Sequence, residues 1–281
     1  MGRVALPAGL LIALIGTLAA FVPFVSGLGL LAIVGWFSLP GVLLGWRLYG
    51  GRPGGWTAAL LAGPAWGYVL SSLVLLDLWA FGVRSFPILM LAPIPAMVLV
   101  WPARALAANL NPPEFSRKDL TAVAFVLLAI LAIVARPYSQ VGVDLPEGRA
   151  YRAYFTADFV WAMAVTAEVS KGDMPPRNPY YMNDALHYYW LMHLLPAAEH
   201  RSAGATLRLE QILLVNGLWA SLMFGGFFYF FLRHFVDRSW AAALAAIGVL
   251  FCSSFEGAER WWWTGATLDQ LRLVNLSLIH I

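Results

Sequence analysis

Residues 154–193 gather Asp158, Glu168, Asp173 and Asp184 with His187 and His193, in a chain where only 12% of residues are charged. Carboxylates this scarce and this clustered point to proton transfer. Asp158 opens a stretch with helical spacing, TADFVWAMAVTAEVSK (156–171), just outside an apolar span. Partial burial there would tune its carboxylate into a general base, although an acid in a first turn also stabilises its helix by about 0.3–1 kcal/mol through the macrodipole. Asp144, in SQVGVDLPEGR, is the second candidate base. Arg149, Arg152 and Arg177, with Lys171, could pair with the phosphate of a lipid carrier or with anionic headgroups, since the guanidinium fork suits phosphate oxygens. Asp184, His187 and Tyr188 complete the candidate substrate contacts, and Tyr188, Tyr189 and Trp190 suit interface anchoring or sugar stacking. His187 and His193 lack the i, i+4 spacing of a helical metal pair. No metal ligand is assigned, and whether a divalent cofactor takes part stays open.

The elements that position these residues are mostly membrane. The 281 residues are 60% hydrophobic, with 13 Trp, and a soluble domain carries about twice this charge. Continuous apolar runs near 5–24, 27–46, 56–80, 86–103, 119–136, 211–232 and 239–255 predict an all-α, polytopic transmembrane bundle of about seven spans. Because the runs do not alternate, a β-barrel is excluded. The division is then a five-span region (1–136), an extracytoplasmic loop with amphipathic helices (137–207), two further spans (208–256) and an external segment (257–281). Arg3, Arg47, Arg52, Arg104, Arg117, Lys118, Arg233 and Arg238 fall at alternate span ends, so the positive-inside bias predicts a cytoplasmic N-terminus in a plasma (inner) membrane. The dispersed net charge of +3 offers no stripe for nucleic acid. The first span reads as retained rather than cleaved, and Cys252, alone, forms no internal disulfide.

Gly, Ala and Pro crowd the early spans, predicting kinked and closely packed helices. Asp77, their one acid, lies near the outer end of the third. In the external loop, Gly172 stops the first helix, Pro175, Pro176 and Pro179 form an elbow, and Asn183 or Asp184 caps a second helix, ALHYYWLMHLL, that ends near Pro196 and rests in the interface. Glu256 and Glu259, after the last span, emerge on the same side, could approach Asp158 and join the candidate substrate contacts. Nucleotide-binding glycine loops, a nucleophile elbow and paired-cysteine metal motifs are missing from the sequence.

At these residues the chain resembles the GT-C superfamily of membrane glycosyltransferases, including protein O-mannosyltransferases, which use polyprenyl-phosphate-linked sugars. A span exits the membrane, acids follow (Asp144, then Asp158 in TADF), a helix ends at Gly172-Asp173, and the elbow MPPRNPYY leads to LHYYW. The pattern is particularly similar to an uncharacterised archaeal and bacterial membrane family with an acid-Phe helix, a PP-x-[DN]-P elbow and a Tyr-Tyr-Tyr motif. In the best-known members the acidic loop follows the first span, whereas here it follows the fifth. The resemblance implies an inverting transfer with a lipid-linked sugar donor, membrane lipids around it and a glycan, lipid or protein acceptor. A transporter or lipid flippase is the rival reading, disfavoured because the spans offer few polar groups for a midplane path. The ending LSLIHI resembles adaptor-derived sequence, so residues from about 276 are expected to be non-native and the chain a fragment.

Overall fold

The computed structural model describes residues 2–104, 113–150, 158–181, 183–203 and 206–251. Ten helices and one hairpin occur among them: α1 (Gly2–Ala19), α2 (Phe24–Tyr49), α3 (Gly55–Ala80), α4 (Phe86–Leu89), α5 (Pro93–Val100), α6 (Arg117–Ser139), β1 (Val143–Leu145), β2 (Gly148–Ala150), α7 (Asp158–Lys171), α8 (Leu194–Ala203), α9 (Leu209–Leu232) and α10 (Ser239–Phe251). The chain is a multi-pass, membrane-embedded helical protein. Among the described residues five helical segments are long and apolar enough to cross a bilayer, namely Phe24–Tyr49, Gly55–Ala80, Phe86–Arg104, Arg117–Ser139 and Leu209–Leu232. The first and last expected spans are shorter apolar helices within the described residues, Ala8–Ala19 and Ser239–Leu250, so a count of seven spans does not follow.

The closest packing joins α2 to α3. Gly41 and Gly45 face Ala59, Gly63 and Gly67, so the backbones touch: a Cβ on Gly67 would lie 2.1 Å from the Ser38 carbonyl oxygen. Small residues spaced four apart permit this approach where apolar burial alone gives helices no drive to associate. Ser71 adds a hydroxyl bond to the Phe37 carbonyl, 2.7 Å. The fourth span breaks into α4 and α5 because Pro93 and Pro95 supply no N–H. The indole of Trp36 donates to the Met90 carbonyl at the break, 2.8 Å, satisfying an oxygen that lipid could not.

At one end of the bundle the start of α6 is clasped to the end of α9. Asp119 is buried and accepts from the Ser116 amide and hydroxyl (2.7 and 2.9 Å), the Tyr229 hydroxyl (2.7 Å) and Arg233 Nε (2.6 Å). Such a pair is tolerable only because every lone pair is used. At the other end α7 and α8 pack on α2, α3 and α4 through Val165, Val169, Leu194 and Leu195 against Phe37, Leu75, Trp79 and Leu89.

The bundle is helical as expected, and Val143–Ala150 adds one small hairpin in which Asp144 lies opposite Arg149, with Pro146 setting the turn's φ. One expectation about the segment after α6 needs correction. The second external helix does not begin at 185. Residues 183–186 pair back on the elbow instead, with Leu186 N donating to the Pro176 carbonyl (2.8 Å), Asn178 N to the Asp184 carbonyl (2.9 Å) and a bridge joining Arg177 to Ala185. The helix starts at Leu194, and Pro196 sits in its first turn, where a missing N–H costs nothing.

Candidate functional site

α7 begins at Asp158 and is locked at its far end. Gly172 takes φ +97°, a value L side chains rarely adopt, and Arg84 donates to its carbonyl while stacking over Trp79 at 4.4 Å. Arg201 donates to the Ser170 carbonyl, 3.0 Å. Two guanidinium groups therefore cap the negative end of the helix. At the near end, Phe159 is buried in the apolar cluster that holds Tyr138, Val141 and Ile212, so the helix start is anchored while Asp158 stays exposed.

Trp161 shares a helical face with Asp158, three residues on. Its ring stacks on Tyr180 (centroids 5.0 Å) and meets Tyr188 edge-on (5.7 Å), and Tyr188 stacks on Tyr189 (3.9 Å). The Tyr188 hydroxyl donates to that of Tyr189, 2.6 Å. That bond comes first among the causes that raise the Tyr188 pKa, followed by slight burial, with the Asp158 carboxylate a smaller contributor. The Asn178 side chain holds the elbow by accepting from the Tyr180 and Tyr181 amides, 3.0 and 3.3 Å, a local turn typical of Asn. An exposed carboxylate beside a stack of aromatic faces can bind a sugar ring and take a proton from it or from an acceptor.

Asp144, in β1, lies on a second polar group. Its carboxylate, 74% exposed, meets Arg149 Nε at 3.1 Å and Arg208 Nη1 at 3.3 Å. Buried Glu210 meets the same two arginines at 3.0 and 3.5 Å. Arg149 is thus shared between two carboxylates. Asp144 and Arg208 line a cavity of about 350 Å³ between the α1–α2 turn and the hairpin.

Arg177 pairs with Asp173 (3.2 Å) and stands exposed on the elbow. Asp184 closes the elbow through its backbone, with an exposed side chain, and His187 is exposed beside it. Arg152, Glu256 and Glu259 lie outside the described residues, as do Thr156, Cys252 and residues 257–281. Among the described residues no group of three or more His, Cys, Asp and Glu side chains comes together as a metal site.

Sequence reasoning passed over Glu199. Its carboxyl is only 2% exposed, in α8, and Oε2 accepts from Asn216 Nδ2 of α9 at 2.6 Å. Burial pushes its pKa up to about 8, against the lowering effect of Asn216, so the acid is largely neutral near pH 7. Just before α8, His193 Nδ1 lies 2.8 Å from the Thr166 hydroxyl, which itself donates to the Ala162 carbonyl. Thr166 therefore accepts the Nδ1 proton, and burial lowers the His193 pKa to about 4. The sequence signal was Asn216 itself, a polar amide inside the apolar run ILLVNGLWA that must find a partner. Compared with family models, curated proteins and solved structures, the chain finds no match.

Proposed function

We propose that the protein is a membrane glycosyltransferase that moves a sugar from a polyprenyl-phosphate carrier to an acceptor hydroxyl on the extracytoplasmic face. The observation that supports it most is Asp158 beside the Trp161, Tyr180, Tyr188 and Tyr189 rings, at the bundle end where α7 and α8 rest on the spans. In the reaction, Asp158 takes the acceptor's proton as its oxygen bonds to the anomeric carbon. The bond from that carbon to the carrier phosphate breaks with inversion, and polyprenyl phosphate leaves through the bilayer. Arg47, Arg52, Arg104, Arg117, Lys118, Arg233 and Arg238 gather at the opposite end, where Arg233 joins Asp119, Arg47 joins Trp101, and Phe115 stacks on Phe230. By the positive-inside bias that end is cytoplasmic, which puts the N-terminus inside and the aromatic platform outside.

The test is transfer by the purified full chain from a polyprenyl-phosphate hexose to glycan, lipid or peptide acceptors. One polyprenyl phosphate released per sugar transferred supports the reading; carrier left intact with every acceptor counts against it. A transporter is the second reading, and Glu199 favours it: a buried, proton-holding carboxyl between helices is a group that proton-coupled carriers use. Uptake that follows a pH gradient into vesicles, and stops in Glu199→Gln, would identify that activity.

A further inference from the structure

The end of the bundle away from the aromatic platform holds a cavity of about 480 Å³ whose lining includes Arg47, Arg52 and Arg104 and, among the described residues, no Asp or Glu. Arg47 is fixed in place. Its Nε donates to the Trp101 carbonyl at 2.9 Å, and its guanidinium sits 4.3 Å over the Trp101 ring and 5.9 Å from that of Trp46. One nitrogen and one face are thereby used, while the two terminal nitrogens have no partner among the described residues. The like charges of Arg47 and Arg104 at one cavity repel each other, and an anion between them relieves that repulsion. A fixed guanidinium edge matches two oxygens of a phosphate. The neighbouring cavity at this end, by contrast, mixes Lys118, Arg233 and Arg238 with Glu114, Asp119 and Asp237.

The surroundings identify the source of the phosphate. Trp46, Trp56 and Trp101 are exposed at the cavity's level, with Trp46 and Trp56 stacked at 5.9 Å, as rings at the headgroup layer are. Leu60, Val98 and Leu99, on the adjoining helices, expose apolar surface on which acyl chains can lie. We propose that the Arg47–Arg52–Arg104 cavity binds the phosphate of an anionic phospholipid headgroup, a site separate from the proposed transfer site and independent of it.

The purified full chain, delipidated and titrated with dioleoyl phosphatidylglycerol or dioleoyl phosphatidylcholine, reads this out by native mass spectrometry of bound lipid. Phosphatidylglycerol is expected to bind about tenfold more tightly, and the preference to fall to about twofold or less in the Arg47→Gln, Arg104→Gln double variant. Arg47→Lys, which keeps the charge and loses the fork, is expected to fall between. Arg238→Gln, in the neighbouring cavity, is expected to keep the full preference. Should the double variant fail to fold, Arg104→Gln alone, at an exposed residue, carries the comparison with an expected loss of about threefold or more. Equal binding of the two lipids, a preference that survives these substitutions, or the same loss in Arg238→Gln would overturn the site. Inorganic phosphate binding with this arginine dependence, with no lipid preference, would overturn the lipid as its source.

Discussion

At the scale of single residues, burial and proton chemistry make the sharpest statements. Glu199 has a folded pKa of about 8 against an ordinary 4.5, so between those values the folded state binds the proton that the unfolded state has released. Stability from this group is complete below about pH 4.5 and is lost as pH rises to about 8. Glu199→Gln, which keeps the shape and cannot ionise, should therefore melt near the wild-type temperature at pH 5 and clearly above it at pH 8.5, by tryptophan fluorescence; matching melting curves at both would mean Glu199 is not buried. Asp119 makes the opposite case: Asp119→Asn leaves Arg233 buried without its counter-charge, and a loss of about 3–5 kcal/mol is expected. Neither role was legible locally. Glu199 sits in AAEHRS, which reads as wet surface, and its partner Asn216 is supplied by a different helix. Asp144 and Asp158 were legible as candidates, since acids outside a span stand out in an apolar chain. The partner of Asp144, Arg208, and Glu210, which shares that arginine, were not, because the hairpin that presents Asp144 to α9 is a tertiary arrangement.

At the scale of elements, apolar runs and proline positions carried most of the information. The bounds of the five long apolar helices and of α7 follow the sequence within a few residues, because hydrophobic periodicity and Gly172 act locally. The start of α8 did not, since Pro196 ends a helix when preceded by several turns and opens one when it falls in the first. Backbone contact between α2 and α3 gives a test of packing: Gly67→Val pushes a branched side chain into the Ser38 carbonyl and should cost about 1–3 kcal/mol or more, seen as a lower melting temperature in detergent. Arg84→Ala removes the cap that ties α7 to the α3–α4 turn. Faster amide hydrogen exchange at the C-terminal turn of α7, with the spans unchanged, is the expected result.

At the scale of the whole molecule, the sequence carries a membrane bundle with a polar layer at one end, and the structure arranges that layer into an aromatic platform near Asp158, an ion-pair group at Asp144 and a buried acid at Glu199. Orientation can be read directly: a thiol at Ser85 should react with an impermeant maleimide added outside intact cells, and a thiol at Lys118 only after lysis. The most direct test of the proposed transfer compares Asp158→Asn with Glu199→Gln in one assay of sugar movement from a polyprenyl-phosphate donor, each variant first shown to be folded and membrane-inserted. Transfer falling by about a hundredfold or more in Asp158→Asn and persisting in Glu199→Gln is the predicted result, whereas full activity in Asp158→Asn would contradict it.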